Sequence, residues 1–446
     1  MSTIVALSTP NGRGALALIR LSGPTSIHIA KQMIGSAVAF SPRRATLQKI
    51  RYPQTEEILD QVVITPFQAP HSMTGEDVVE ISCHGSPAIV RQIIDLSLNF
   101  GARLAGPGEF TLRALSNGRI NLAQAEAIRD LIAAQTELAA RQAARQVNGE
   151  LSIALAPLKQ HLVEIIVVLE SALEFVEDDL PDVQIAAIQQ KLSKVIEGVT
   201  RLADTYRAGR LIQDGIKVTI LGSPNVGKSS LFNSLVERDR AIVTDKAGTT
   251  RDTLSESIEF DGIPVVLTDT AGLRQTEDTI ESLGIERTQR AMADADVLVV
   301  VLDSTVELGP DDHELLSQTA GTCRVVVSNK CDLPRFNTNG SDPNCVSVSA
   351  LTGEGLEALR VAILNSLNGA NLESSGLLVT NARHHDLLTR ASSELRDAID
   401  SMNQKQSEEL VLVPLHNTLR YLGQITGETT TEDILSEIFS TFCIGK

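Results

Sequence analysis

One stretch of the chain has residue types and spacing that specify phosphate chemistry, Gly222-Ser-Pro-Asn-Val-Gly-Lys-Ser229. Its pattern is G-x-x-x-x-G-K-S, the P-loop. In such a loop, glycines let backbone N–H groups converge on phosphate oxygens, and the helix that follows adds partial positive charge. We expect Lys228 to reach the β- and γ-phosphates and the Ser229 hydroxyl to bind Mg²⁺. The stretch predicts a nucleoside triphosphate site; a Gly-Lys turn without function is the alternative.

Three further motifs follow in the order that a guanine-nucleotide site requires. In Asp269-Thr-Ala-Gly272 the carboxylate can hold Mg²⁺ through water, and the glycine N–H can bind the γ-phosphate. In Asn329-Lys-Cys-Asp332 the aspartate can accept the guanine N1–H and 2-amino N–H, a donor pair that adenine lacks, while Asn329 reaches N7 or neighbouring backbone. Ser349-Ala-Leu351 adds a backbone N–H for guanine O6. Each motif is weak alone, but four in order favour guanine, because mispairing leaves a buried charge unsatisfied.

The catalytic groups expected from the sequence differ from those of small GTPases such as Ras. Leu273 stands where small GTPases such as Ras carry the glutamine that orients the attacking water, and leucine cannot orient water. Glu281 is the candidate replacement, and a solvated glutamate on a helix face is the equal alternative. No arginine is placed as an obvious internal finger, but Asn225 and the loop 244–250 offer oxygen ligands for a monovalent cation. We expect Thr250 to be a second Mg²⁺ ligand.

The candidate GTP-contacting set is Asn225, Val226, Gly227, Lys228, Ser229, Ser230, Thr244, Asp245, Lys246, Ala247, Gly248, Thr249, Thr250, Asp269, Thr270, Ala271, Gly272, Asn329, Lys330, Asp332, Ser349, Ala350 and Leu351. Lys228 and Glu281 are the candidate catalytic residues of this site.

The elements that must position these motifs form one predicted domain, residues 214–378. Residues 217–221 suit a buried strand and 230–236 an amphipathic helix. Asp261-Gly262 is a hairpin signal between apolar runs. The runs lie at 254–260, 263–268, 297–302, 324–327 and 345–348, with helical stretches at 281–292, 311–318 and 356–367. The pattern predicts a mostly parallel sheet with one antiparallel edge, covered by helices.

The flanking segments predict two more domains. Residues 1–118 suit a mixed α/β domain, with strands at 3–7, 15–21, 61–64 and 77–82 and helices at 27–34 and 87–100. Asn121 and Gln124 form a capping pattern, and 122–147 lacks Gly and Pro, which predicts one long helix. Helical patterns continue over 158–175 and 183–207, interrupted by Pro157, and return over 381–442. We predict a multidomain α/β plus all-α chain, whose helical domain combines 119–213 with 379–446 around the nucleotide domain.

Composition sets outer bounds. A chain of 446 residues is expected to hold two to four domains. A net charge of -17 excludes a surface that binds polyanions throughout, so RNA contact requires a local basic patch or a partner's charge. Five scattered cysteines indicate neither a disulfide framework nor a structural zinc site. Without a leader pattern or a run of about eighteen apolar residues, we expect a cytoplasmic protein with no membrane segment.

On these residues the chain closely resembles the tRNA modification GTPase family MnmE, also called TrmE. The stretches that carry the resemblance are Gly12-Arg-Gly14, Ile19-Arg-Leu-Ser-Gly23, Thr74-Gly-Glu-Asp77, Pro107-Gly-Glu-Phe110, Leu122-Ala-Gln-Ala-Glu-Ala-Ile128, Gly248-Thr-Thr-Arg-Asp252 and the very specific C-terminal Cys443-Ile-Gly-Lys446. The resemblance implies an N-terminal α+β folate-binding and dimerisation domain, a helical domain from two segments, and an inserted Ras-like P-loop GTPase domain.

The resemblance also implies a task. Together with the FAD-dependent partner MnmG, in a heterotetramer, a homodimer like this would use GTP hydrolysis to help add an aminomethyl or carboxymethylaminomethyl group to C5 of the wobble uridine of tRNA. A tetrahydrofolate derivative, 5-formyl or methylene, would supply the carbon, and hydrolysis would depend on Mg²⁺, K⁺ and pairing of two nucleotide domains. The implied ligands are Asn225, Thr244, Lys246 and Thr249 for K⁺, and Arg20, Glu80, Arg119 and Lys446 for folate. Arg119 stands where other members of the family carry lysine, so a planar guanidinium replaces the compact charge of an ammonium group.

Three alternatives stay open at this point. Cys443 is either a thiolate that handles the one-carbon unit beside Lys446 or a packed small hydrophobe. The second alternative is that the chain is a regulatory GTPase that binds RNA directly, for example a ribosome-assembly switch. No RNA-binding motif in the sequence supports it. A folate-dependent one-carbon transferase whose GTPase domain only regulates it is the third function.

Overall fold

The computed structural model describes residues 2–35, 40–53, 55–174, 182–238, 254–269, 291–335, 345–367, 376–428, 435 and 438–445. The chain divides into two compact units. Unit 1 comprises residues 1–129, 146–174 and 406–446, and unit 2 comprises residues 130–145 and 175–405.

The described elements of the first half are β1 (Ile4–Leu7), β2 (Leu16–Ser22), α1 (Ser26–Ile34), β3 (Thr46–Arg51), β4 (Ile58–Phe67), β5 (Val78–His84), α2 (Pro87–Asn99), β6 (Arg103–Leu104), α3 (Glu109–Ser116), α4 (Leu122–Ala133), α5 (Glu137–Val147), α6 (Glu150–Glu174), α7 (Asp182–Asp204) and α8 (Tyr206–Asp214). The second half contains β7 (Ile216–Leu221), α9 (Lys228–Arg238), β8 (Leu254–Phe260), β9 (Ile263–Asp269), β10 (Val297–Asp303), α10 (Pro310–Gln318), β11 (Arg324–Asn329), β12 (Val346–Ser347), α11 (Leu356–Ser366), α12 (Ala382–Asn403) and α13 (Glu408–Thr426).

Unit 1 is built on a six-stranded sheet in the order β3-β4-β5-β2-β1-β6. All neighbours are antiparallel except β1 and β6. Alternation along the strands buries one face, for example Ile19 and Leu21, against the apolar sides of α1 and α2. On the other face Phe110 of α3 packs against Ile4 and Ala6. The N-terminal mixed α/β prediction is confirmed in these elements.

Unit 2 contains a second six-stranded sheet, in the order β12-β11-β10-β7-β9-β8. Only the edge strand β8 is antiparallel, joined to β9 by the hairpin at Asp261-Gly262. Strands β7 and β10 are nearly continuous apolar runs, as expected for parallel strands covered on both faces. The predicted sheet, with its single antiparallel edge, is confirmed. The sheet brings the carboxyl ends of β7, β9 and β11 to one edge.

The helical segments differ from the sequence prediction in two places. Residues 122–147 form two helices, because the Thr136 hydroxyl accepts the Ala139 N–H at 3.2 Å and so starts α5 separately. Pro157 does not interrupt the helix but lies inside α6. A proline removes the bond to the carbonyl four residues earlier, and Ile153 lies on an exposed side where water can satisfy it. The capping pattern is confirmed by reciprocal bonds between Asn121 and Gln124.

The long helices pair within each unit. Helix α6 packs along α13 in unit 1, and α7 packs along α12 in unit 2. Within the described ranges one helix segment, Glu150–Leu173 of α6, is long and apolar enough to cross a membrane, and 28% of that window is buried. A single such segment is weak support for a span, because core helices pass the same test.

Candidate functional site

The P-loop joins β7 to α9 through a backbone that needs small residues. A Cβ on Gly222 would lie 2.5 Å from the Val301 carbonyl oxygen, and one on Gly227 would lie 2.3 Å from Asn329 Nδ2. Asn225 has a positive φ of 65°, a conformation that asparagine tolerates better than most residues. The loop is thus wrapped tightly between neighbouring strands, with its N–H groups leading into the N-terminus of α9.

Two of the residues expected around the phosphates and Mg²⁺, Ser229 and Asp269, are in contact, and Lys228 is bonded within the P-loop. Lys228 Nζ donates to the carbonyl oxygens of Gly222 and Ser223, at 3.0 and 2.9 Å. The Ser229 hydroxyl donates to Asp269 Oδ2 at 2.7 Å. A hydroxyl and a carboxylate facing each other at the end of β9 form an oxygen ligand set of the kind that Mg²⁺ prefers. The two motifs that were to share the ion therefore lie side by side.

Asn329 connects three of the four predicted motifs. Its Nδ2 donates to the Val226 carbonyl at 2.9 Å, and its Oδ1 accepts the Ala350 N–H at 3.0 Å. Asn329 is 1% exposed, and its bond to Val226 is buried while the bond from Ala350 is partly buried. Of the two partners predicted for Asn329, the structure shows the neighbouring backbone. Lys330 Nζ adds a bond to the Asn225 carbonyl at 3.0 Å.

The residues predicted to recognise the guanine base follow the strands β11 and β12. Asp332 is exposed in the turn after β11, so its carboxylate is accessible to a ligand. Ser349 accepts the Thr352 N–H at 3.1 Å, which holds the turn that presents Ala350 and Leu351. Leu351 is 87% exposed. Of the backbone N–H groups that this motif was predicted to offer to guanine O6, the one of Ala350 is bonded to Asn329.

Many predicted residues lie outside the described residues and have no structural account. They are Thr244, Asp245, Lys246, Ala247, Gly248, Thr249, Thr250, Thr270, Ala271, Gly272, Leu273, Glu281 and Lys446.

Two contacts of this site were not predicted. The Ser223 hydroxyl donates to Asp312 Oδ1 at 2.5 Å, which ties the P-loop to α10. Lys330 also pairs with Asp303 at the end of β10. Partial burial opposes ionisation of Asp303, but hydrogen bonds from Lys330 and Thr305 lower its pKa below the usual value. The position of Asp303 at the end of an apolar strand was the one available signal.

The first two residues predicted for folate meet on the sheet of unit 1. Arg20 and Glu80 are direct cross-strand neighbours of β2 and β5. Arg20 Nε and Nη2 both donate to Glu80 Oε1, at 3.0 and 2.7 Å, with the two side chains 13% and 26% exposed. The guanidinium carbon lies 5.9 Å from the centre of the Phe110 ring. Arg119, the third, is exposed and lies beside Gly75.

A buried arginine anchors the two acidic motifs of unit 1. Arg113 donates to Glu76 at 2.8 Å and to Glu109 at 2.9 Å, and is 5% exposed. Partial burial opposes ionisation of Glu109, but hydrogen bonds from Arg103, the Gly106 N–H and Arg113 bring its pKa to about 2. These glutamates hold the turns that surround Arg20 and Glu80.

The C-terminal segment is seated against the N-terminal strands of the same unit. The Gly108 N–H donates to the Cys443 carbonyl at 3.3 Å, and the Ser8 hydroxyl donates to the Gly445 carbonyl at 3.0 Å. A Cβ on Gly445 would lie 2.1 Å from the Leu7 carbonyl oxygen. Cys443 is exposed, so its side chain is not packed inside the described part of this chain.

Comparison with known proteins covers the whole chain. Two family models match it: the MnmE helical domain over residues 122–443 and the GTP-binding protein TrmE N-terminus over residues 3–119. The tRNA modification GTPase MnmE of Koribacter versatilis is 46% identical over 450 residues, covering 100% of this chain and 99% of the relative. The MnmE of Aquifex aeolicus is 43% identical over 446 residues, covering 99% of both.

Similarity to solved structures is partial. Era from Aquifex aeolicus bound to GDP·AlF4⁻ is 24% identical and covers 40% of this chain and 66% of its own, with a TM-score of 0.29. The G domain of the FeoB iron transporter from T. maritima is 27% identical and covers 34% of this chain and 98% of its own, with a TM-score of 0.26. On the two family models and the identity over the full length, the chain belongs to the MnmE family of tRNA modification GTPases.

Proposed function

We propose that this protein binds and hydrolyses GTP to support modification of the wobble uridine of tRNA. The observation that carries the nucleotide part is the Asn329 bridge, which ties the P-loop to the turn that would surround the base. Lys228 and the Ser229–Asp269 pair lie where phosphates and Mg²⁺ are expected. Mg²⁺, when bound, neutralises charge on the β- and γ-phosphates.

The residues of this chain divide the work on GTP. Lys228 exchanges its two carbonyl partners for phosphate oxygens when nucleotide enters the loop. Asp332 accepts the two guanine N–H groups, and Asn329 keeps the base-side turn in register with the P-loop. Leu273 cannot orient water, so we propose Glu281 for that role. Glu281→Ala is expected to lower GTP turnover but not GDP affinity; an unchanged rate rules out the role.

K⁺ is the cation that we propose for the phosphate site, held by Asn225, Thr244, Lys246 and Thr249. The Asn225 side chain is exposed next to the P-loop glycines, which suits such a ligand. Pairing of two nucleotide domains would complete the site. Replacing K⁺ with Na⁺ is expected to slow hydrolysis strongly, and equal rates in the two salts contradict the proposal.

Unit 1 is proposed to bind a tetrahydrofolate derivative at Arg20 and Glu80, with Arg119 and Lys446. Glu80 uses only Oε1 for Arg20, which leaves Oε2 for a pterin N–H. Folate, when bound, supplies the one-carbon unit, and exposed Cys443 is a candidate to handle it. If the Cys443→Ser variant still supports full tRNA modification, the Cys443 thiol has no chemical role in the reaction.

The tRNA step is proposed to need a homodimer and the FAD-dependent partner MnmG, in the cytoplasm. The product would carry an aminomethyl or carboxymethylaminomethyl group on C5 of the wobble uridine. Nucleoside analysis by mass spectrometry of tRNA from a deletion strain tests this directly. We expect the modified uridine to be lost and to return with the wild-type gene; unchanged modification in the deletion strain refutes the assignment to tRNA.

A further inference from the structure

The charges of the chain are unevenly distributed. Residues 1–120 hold eleven lysines and arginines against eight aspartates and glutamates, whereas the whole chain holds 39 against 56. The first 120 residues are therefore net positive in a protein whose net charge is -17. Long-range attraction would bring a polyanion toward this part of the chain.

Several of these charges cancel inside unit 1. Three arginines are engaged with three glutamates, and the remaining buried carboxylate, Asp60, is bonded to His84 at 2.7 Å. The cancelling groups are Arg20 with Glu80, and Arg103 and Arg113 with Glu76 and Glu109. The surface charge of this region is consequently set by the cations outside these pairs.

Four of those cations follow one edge of the sheet. Arg43 and Arg44 precede β3, and Lys49 and Arg51 lie in it. Guanidinium N–H groups of Arg43 and Arg51 donate to the carbonyls of His71 and Glu56, at 3.3 and 2.8 Å. Within the described part of the chain none of the four forms an ion pair with a carboxylate.

The geometry of β3 displays these groups. Among the described strands it lies at the edge of the sheet and is bonded only to β4, and alternation places Leu47, Lys49 and Arg51 on one face. Arg43, Arg44 and Lys49 are exposed, and Leu47 is 61% exposed. At about 3.3 Å per residue the stretch 43–51 spans up to about 27 Å, enough to follow several phosphates of one RNA strand.

We propose that this basic edge, formed by Arg43, Arg44, Lys49 and Arg51, is the surface through which the protein contacts the phosphate backbone of tRNA. The inference rests on the proposed function, which makes tRNA the polyanionic partner. Cations on an open strand edge also prevent edge-to-edge aggregation. Either sign of charge serves that purpose, however, so a glutamate edge would still resist aggregation while repelling phosphate.

Charge reversal in the full-length protein provides the test. We expect the triple variant Arg43→Glu, Arg44→Glu, Lys49→Glu to bind transcribed tRNA at least about tenfold more weakly at low salt. Between about 50 and 200 mM KCl, the slope of log affinity against log salt should fall by about 0.7–0.9 per lost phosphate contact. GTP hydrolysis and the thermal unfolding midpoint should match the wild type. The matched control reverses three exposed cations of unit 2, Lys194, Arg390 and Arg396.

Four results would overturn the proposal. Two concern the variants: the edge variant keeps the tRNA affinity and salt slope of the wild type, or the control variant loses as much tRNA affinity as the edge variant does. In the third, the edge variant loses binding to anionic phospholipid vesicles but still binds tRNA. In the fourth, the unaltered protein does not bind tRNA. None of these bears on wobble-uridine modification in cells, which is measured separately. Failure of the basic edge and failure of the proposed function are therefore distinguishable.

Discussion

Replacing Asn329 with alanine should disconnect the P-loop from the base-side turn. The buried Val226 carbonyl would lose its 2.9 Å donor, and the Ala350 N–H would lose its 3.0 Å acceptor. A buried group left without its partner costs about 1–3 kcal/mol, so the two groups together cost about 2–6 kcal/mol. If about 3 kcal/mol of that cost appears in the bound state, GDP affinity falls on the order of 10²-fold, at about 1.4 kcal/mol per tenfold.

Isothermal titration of GDP into the two proteins measures this loss. Asn365→Ala is the matched control, because Asn365 is exposed on α11 of the same sheet domain. Its GDP affinity should equal that of the wild type. Asn329→Asp is the finer test, since it keeps the acceptor for Ala350 but turns a carboxylate oxygen toward the Val226 carbonyl. An Asn329→Ala affinity within about threefold of the wild type would refute the reasoning.

Three further perturbations address separate parts of the molecule. Asp332→Asn should lower GDP affinity on the order of 10²-fold and favour XDP, which offers a carbonyl at position 2; titration with both nucleotides checks this. Gly445→Ala puts a Cβ 2.1 Å from the Leu7 carbonyl oxygen and should weaken 5-formyl-tetrahydrofolate binding at least about tenfold, with GDP affinity unchanged. The Glu109 pKa of about 2 lies below the usual glutamate value of 4.5, so the stabilisation that Glu109 provides is nearly complete above about pH 4.5 and is lost as pH falls toward 2. The wild type should therefore lose more stability than Glu109→Gln between those pH values, by on the order of 1 kcal/mol because water screens the half-exposed Arg103 partner. Denaturant unfolding measures the loss, and equal losses would contradict it.

The nucleotide sheet could be predicted from sequence because its signals are local. A hairpin at Asp261-Gly262, apolar runs and ordered motifs determine which residues share one sheet edge. The partner of Asn329 could not be chosen from sequence, because a side chain at a strand end can bond either a ligand or a neighbouring loop. Only the three-dimensional closeness of Gly227 and Asn329 decides for the backbone.

The helical segments were harder to predict because single residues act against the overall pattern. Thr136 divides what composition predicts as one helix, by offering its hydroxyl to a backbone N–H. Pro157 fails to end α6, because one lost backbone bond on an exposed side is tolerated. In unit 1, neither the Arg20–Glu80 pair nor the Arg113–Glu76 pair is readable from spacing, since both join residues far apart in sequence.

Nucleotide selectivity of turnover tests the central claim most directly. Purified full-length protein should hydrolyse GTP in Mg²⁺ and K⁺, should leave ATP intact, and should lose GTP turnover in Lys228→Ala. Hydrolysis of ATP at a rate comparable to GTP, or GTP turnover that survives the loss of Lys228, would contradict a guanine-specific P-loop site at the centre of this protein.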